Sequence, residues 1–167
     1  EFYVTASTYL KKRFPHLKIG GPALAWDEDW LERFFERVNG REIALDFLSW
    51  HWYGSEPYKM SDKGTRIYEI AKKYCYSGFE SILNEWNYVT GWGEKLNDTV
   101  REIISMKGAA FNCAAMTIGQ HTPVDMLMYY DARPNSRFSG IFDFYTFDKL
   151  KGYYSFLMFS KLYQLGT

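Results

Sequence analysis

The chain alternates helix-like and strand-like segments four times over its 167 residues, and that order limits its possible folds more than any other feature. Tyr3, Leu10 and Phe14 lie near one helical stripe that Pro15 closes, and Leu17 to Pro22 then reads as a short strand. A second helix is expected with Asp27 or Asp29 at its start, Trp30, Leu31, Phe34, Phe35 and Val38 on its apolar face, and Gly40 at its end. A strand from about Leu45 to Tyr53 follows. Ser61 or Asp62 is placed to cap a third helix carrying Ile67, Ile70, Ala71 and Tyr74, before Gly78 and a strand from Phe79 to Trp86. Asn97 is read as the cap of one long helix through Val100, Ile103, Ile104, Lys107, Ala110, Phe111 and Ala114 to Gly119. Val124 to Tyr130 supplies the fourth strand, and a last helix covers about Leu150 to Leu165, with Gly166 beyond it.

Strands recurring roughly every 30 to 45 residues, each followed by a helix, predict an α/β fold with a parallel sheet. No linker or low-complexity segment divides the chain, so residues 1–167 are read as one domain. The loops after the strands are the richest in Trp, Tyr, Asp, Asn and Gly, as expected of a (β/α) barrel whose chemistry sits at the carboxyl ends of its strands. A doubly wound nucleotide-binding sheet is the alternative. It lacks its signature here, because Gly20-Gly21-Pro22 cannot open a helix onto a phosphate.

Composition narrows the function classes. Apolar residues make up 47% of the chain, enough for a substantial core, and 20 basic residues cancel 20 acidic ones. That balance argues against a nucleic-acid surface or a polybasic membrane anchor. No apolar run reaches the roughly 20 residues of a membrane span, and the first residues lack a signal-peptide pattern, which leaves localisation open. His16, His51 and His121 fall on separate elements without metal-ligand spacing, so neither a metal nor a cofactor is expected. Cys75 and Cys113 are read as buried thiols.

Within this frame Ser81-Ile82-Leu83-Asn84-Glu85-Trp86-Asn87 stands out, a short apolar run ending in one carboxylate with an amide before it and an indole and a second amide after it. At a barrel rim such a carboxylate can attack an anomeric carbon, provided neighbouring donors keep it ionised and aimed. Strand alternation puts Ser49, His51 and Tyr53 on one face of the preceding strand, within reach of Glu85. Trp50, Trp52, Trp86 and Trp92 cluster near two strand ends, where indoles stack on sugar rings or simply fill the core. Trp86 and Asn87, beside the carboxylate, are the chosen substrate contacts from this segment, and Tyr129, Tyr130, Asp131 and Arg133 are candidates for binding hydroxyls from the last strand. Asp131 has an alternative, a turn paired with Arg133.

Three segments in order, Lys18-Ile19-Gly20-Gly21-Pro22-Ala23, Asp46-Phe47-Leu48-Ser49-Trp50-His51-Trp52-Tyr53 and Leu83-Asn84-Glu85-Trp86-Asn87, resemble the second half of a clan A glycoside hydrolase, closest to family 39, the β-xylosidase-like family. The resemblance covers nearly the whole chain. It implies the C-terminal half of a TIM barrel, strands five to eight with their helices, and a glycosidase that cleaves O-glycosyl bonds of β-glycosides with retention. It also implies Glu85 as the catalytic nucleophile, aligned by a His and a Tyr of strand six, matched here by His51 and Tyr53.

The same resemblance places the acid/base Glu of an Asn-Glu pair at the end of strand four, upstream of residue 1, and the only Asn-Glu pair present is Asn84-Glu85. A retaining enzyme needs two carboxyl groups about 5 to 5.5 Å apart, so little or no hydrolysis is expected of this chain alone. Strand edges near Ile19 and Met126 should be open, to be covered by the missing N-terminal half-barrel or by self-association. Two copies could close an eight-stranded ring, but their Glu85 side chains would face each other across it, whereas the family's pair comes from strands three apart. The alternative function is a non-catalytic carbohydrate-binding or assembly module.

Overall fold

The computed structural model describes residues 1–41, 43–76 and 78–166 and contains one parallel four-stranded sheet, ordered β1-β2-β3-β4. The strands are β1 (Gly20–Leu24), β2 (Phe47–Gly54), β3 (Glu80–Tyr88) and β4 (Met126–Tyr129). Helix α1 (Phe2–Arg13) precedes the sheet, α2 (Glu28–Val38) and α3 (Pro57–Lys73) connect the first three strands, and α4 (Leu96–Ile103) and α5 (Met106–Gly119) join β3 to β4. Helix α6 (Lys151–Leu165) closes the order. This is the expected α/β arrangement of consecutive barrel units.

Local chemistry explains most boundaries. Asp27 caps α2 by accepting the Trp30 backbone N–H at 2.9 Å, and Glu28 and Asp29 occupy its positively polarised first turn. Leu31, Phe34, Phe35 and Val38 form its buried stripe. Helix α3 begins at Pro57, not at Ser61 or Asp62, because proline fits the first helical position, where no backbone N–H is needed. The single long helix expected from Asn97 is two helices. A turn of 3-10 helix (Gly93–Lys95) leads into α4, and Ser105 then restarts the chain as the cap of α5, its Oγ accepting the Lys107 N–H at 3.1 Å. Gly108 permits the break: a Cβ there would lie 2.0 Å from the Ile103 carbonyl oxygen.

The two faces of the sheet differ. Leu48, Trp50, Trp52, Leu83 and Trp86 turn toward the helices and join Leu31, Phe35, Met60, Ile67, Ala71 and Phe111 in one core. Burying each large side chain contributes on the order of ~1.5–3 kcal/mol. The other face is open, with Met126 46% and Met128 44% exposed on β4. β1 and β4 are the sheet's two edges, each hydrogen-bonded to a single neighbour.

β3 holds one residue more than either neighbour at the level of Asn84. Leu83 pairs with Trp50 and Glu85 with the next residue, His51, while Leu83 and Trp86 pair with Leu127 and Tyr129 of β4. Such a bulge resets side-chain parity. Leu83 faces the core, and Glu85, which strict alternation would send the same way, meets His51 and Tyr53 on the open face. The cysteine expectation is corrected: Cys75 is exposed because it falls in the turn just past α3, and Cys113 partly exposed because it lines an open groove between α5 and α6.

Candidate active site

Glu85 is positioned by β3 and held from β2. The Tyr53 hydroxyl donates to Glu85 Oε2 at 2.7 Å, and His51 Nδ1 lies 3.5 Å from the same oxygen. Burial, then the adjacent Glu85 carboxylate, raises the Tyr53 pKa far above the ordinary phenol value. Tyr53 therefore remains a donor at any working pH, and the carboxylate keeps a fixed orientation. His51, Tyr53 and Glu85 are brought together as expected.

Aromatic rings wall this carboxylate. Tyr53 meets Trp92 edge to face with centroids 5.5 Å apart and Tyr130 at 6.4 Å, and Phe138 packs on both Trp92 and Tyr130. Trp92 in turn meets Trp26 at 6.3 Å. Trp26 is 65% and Trp92 47% exposed, so both indoles offer surface to a ligand. Sequence reasoning passed over Trp26 altogether and left Trp92 outside the chosen set. The available signal was position, since each follows the carboxyl end of a strand.

Two polar groups hold these loops. Lys63 of α3 donates to the Ala25 carbonyl at 2.6 Å and the His51 carbonyl at 3.2 Å, and its burial lowers its pKa. Thr99, fully buried on α4, receives the N–H groups of Thr90 and Gly91 at 3.3 and 3.1 Å and donates to the Gly91 carbonyl at 2.8 Å, fixing the segment before Trp92. Asn84 Oδ1, at the bulge, is buried without a partner among the described residues. An unpaired buried acceptor costs about 1–3 kcal/mol and marks a place for an incoming donor.

Other expected contacts are corrected. Trp86 is 1% exposed and packs against Tyr129, Phe111 and Phe156, because the bulge turns Glu85 outward and leaves its neighbour facing the helices. Asn87 is buried and spent on the backbone: it donates to the carbonyls of Tyr130 at 2.7 Å and Phe138 at 2.8 Å and accepts the Tyr88 N–H at 2.7 Å. It ties the loop after β4 to β3. Tyr129 also packs on the core side, accepting the Gly140 N–H at 3.2 Å, with its phenol pushed up to about 12, chiefly by burial.

Asp131 takes the turn alternative. It accepts the Arg133 N–H at 2.9 Å and the guanidinium at 2.8 and 3.2 Å, which also occupies Arg133. Burial alone would raise the Asp131 pKa, but hydrogen bonds from Arg133 and Ser136 outweigh it and hold the carboxyl below its usual range. Tyr130 remains at the open rim beside Tyr53. Among the described residues no cluster of three or more His, Cys, Asp or Glu side chains is arranged to hold a metal ion, and no helix is long and apolar enough to cross a membrane.

The fold recurs in known glycosidases. A glucosidase from Croceicoccus marinus superposes with a TM-score of 0.64 at 28% identity, over 81% of this chain and 28% of its own. A monomeric beta-xylosidase from Caulobacter crescentus CB15 gives 0.71 at 16% identity, over 95% and 36% of the two chains. A GH128 (subgroup I) endo-beta-1,3-glucanase from Amycolatopsis mediterranei, in complex with laminaritriose, gives 0.63 at 15% identity, over 92% and 64%. The chain thus spans about a third of the glucosidase and the xylosidase and under two thirds of the glucanase. No curated protein matches the sequence. The family model of the glycosyl hydrolase catalytic core matches residues 2–112, well over half of the chain, and the protein belongs to that family.

Proposed function

We propose that the chain carries the nucleophile half of a retaining, β-xylosidase-like glycosidase, with Glu85 attacking the anomeric carbon. The observation that supports this best is the carboxylate of Glu85, held at 2.7 Å by the Tyr53 hydroxyl inside a cleft walled by Trp92 and Tyr130. Attack forms a bond from Glu85 Oε to the anomeric carbon as the glycosidic C–O bond breaks, and the leaving oxygen takes a proton from a general acid. Asp131 is committed to Arg133 and the only Asn-Glu pair is Asn84-Glu85, so in this reading the acid comes from outside residues 1–167, which act as one domain. A complementary half-barrel, or a second copy of the chain, covers the two open sheet edges. Only the first of these supplies the acid in the right place. Trp26, Trp92 and Tyr130 grip the β-glycoside, and Asn84 Oδ1 accepts from a hydroxyl.

The test uses 2,4-dinitrophenyl 2-deoxy-2-fluoro-β-xyloside, whose leaving group departs without a general acid. The expected result is a stable mass increase on the peptide containing Glu85, with little or no turnover of unactivated xylosides. Steady hydrolysis that disappears in Glu85→Gln would contradict the missing-acid part of the reading. The second reading, a non-catalytic carbohydrate module, draws on the exposure of Trp26 and Trp92 and predicts reversible glycan binding, unchanged in Glu85→Gln, with no labelling.

A further inference from the structure

Behind the rim lies a cavity of about 380 Å³, between α4 and the segment running from Ser136 to Leu150. It falls within the roughly 300–1,000 Å³ typical of ligand pockets. It is separate from the Glu85 cleft. Phe138 turns its ring to Trp92 and Tyr130, while its neighbours Arg137 and Ser139 line the cavity.

Three observations converge there. Asn97, Val100 and Arg101 of α4 and Ile104 at its C-cap recur at helical spacing and all line the cavity, so this turn of chain presents two apolar and two hydrogen-bonding side chains to open space. Arg137 forms no ion pair among the described residues, and Arg101 is held only by the exposed Asp98 at 3.3 Å. The third is the turn Asp143-Phe144-Tyr145-Thr146-Phe147-Asp148. It displays three aromatic rings to solvent, Tyr145 at 85% exposure, yet it is stiff. Asp143 Oδ1 accepts the N–H groups of Tyr145 and Thr146 at 2.9 Å each and the Thr146 hydroxyl at 3.2 Å, and the Asp143 N–H reaches the Asp148 carbonyl at 2.8 Å. A Phe142–Lys149 bridge closes the base.

A pre-ordered turn loses little entropy when its rings are covered. A pyranose ring has an apolar C–H face and an equatorial belt of hydroxyls that need both donors and acceptors. The cavity matches both parts: Val100, Ile104 and Phe142 make an apolar floor, the guanidinium of Arg137 and the amide of Asn97 supply donors, and Asp143 Oδ2 is left by the turn as an acceptor. We propose that this cavity is a second glycan-binding site, distinct from the Glu85 cleft, which takes one or two units of a neutral oligosaccharide against the 143–148 turn. The proposal deepens the reading of the chain as a glycosidase by giving it a non-hydrolytic hold on the same class of substrate.

The experiment measures binding of xylohexaose and laminarihexaose by titration calorimetry to the unsubstituted chain, Arg137→Ala, Tyr145→Ala and Trp92→Ala, with Glu85 labelling followed in parallel. For whichever sugar binds, Arg137→Ala and Tyr145→Ala are expected to weaken one binding step about tenfold or more, and to leave the labelling rate at Glu85 unchanged. Trp92→Ala is expected to slow labelling and spare that step. Affinities within about twofold of the parent in both cavity variants overturn the second site, as does absence of binding of either sugar at millimolar concentration. Failure of the two readings is separable: labelling with no dependence on Arg137 sinks the cavity alone, and Arg137-dependent binding without labelling sinks the nucleophile alone.

Discussion

Within β2 and β3, neighbouring residues do unlike work. On the helix side Trp50, Trp52, Leu83 and Trp86 are packed out of water, while on the open side His51 and Tyr53 converge on one carboxylate oxygen of Glu85. The difference teaches that stability and chemistry here are separated by the direction of a side chain, over the width of one residue. Substitutions on the first face should act on folding and leave a folded molecule's chemistry intact, and those on the second should do the reverse.

The sharpest way to break that division is Glu85→Gln, which should reduce fluoroglycoside labelling below detection while the urea midpoint stays close to the parent value. Labelling that persists would assign the chemistry to another residue. The opposite substitution, Trp86→Ala, should cost about 3–5 kcal/mol in urea unfolding and yet leave the labelling rate per folded molecule nearly unchanged. A drop in labelling beyond the loss of folded protein would return Trp86 to the site. Tyr53→Phe comes next. It removes a hydrogen bond to a charged acceptor, worth about 1.5–3 kcal/mol, so labelling should slow roughly 10- to 100-fold with a small effect on stability.

The smallest effect concerns pH. The carboxyls of Asp131 and Asp46 both lie below their usual range when folded, the first against the cost of burial and through Arg133 and Ser136, the second through Lys11 and the Ile19 N–H. Groups depressed in this way stabilise the fold fully above the unfolded value of about 3.9, and that contribution is lost as pH falls through the lower folded value. Acid titration of stability should therefore fall off below about pH 4, and more shallowly in Asp131→Asn. An identical acid limb in that variant would show that the Arg133 pair adds nothing.

Much of this was legible in the residues. The order of strands and helices follows from periodicity, and the grouping of His51, Tyr53 and Glu85 follows from strand alternation on β2 combined with the adjacency of β3. The misreadings trace to packing. Trp86, Asn87 and Tyr129 look like site residues because they flank the carboxylate or end a strand; the extra residue in β3 decides which way the first two face, and Tyr129 shares the core side of β4 with Leu127. The break at Ser105 was hidden because the apolar stripe continues across it, and the close seat of Gly108 against Ile103 is tertiary. Trp26 lies after a short strand whose own irregular register, between Pro22 and Leu24, is visible only in its pairing with β2.

The bulge at Asn84 also bears on how this strand can vary. It divides β3 into two halves that keep independent count, an inner half phased for the core and an outer half phased for the rim. Substitutions can accumulate in either half without disturbing the other, but a single-residue insertion between the junction and Glu85 would exchange Glu85 for Trp86 on the open face. β3 is thus tolerant of spelling and intolerant of length. Its relatives should be aligned with gaps in the loops and none between Leu83 and Trp86.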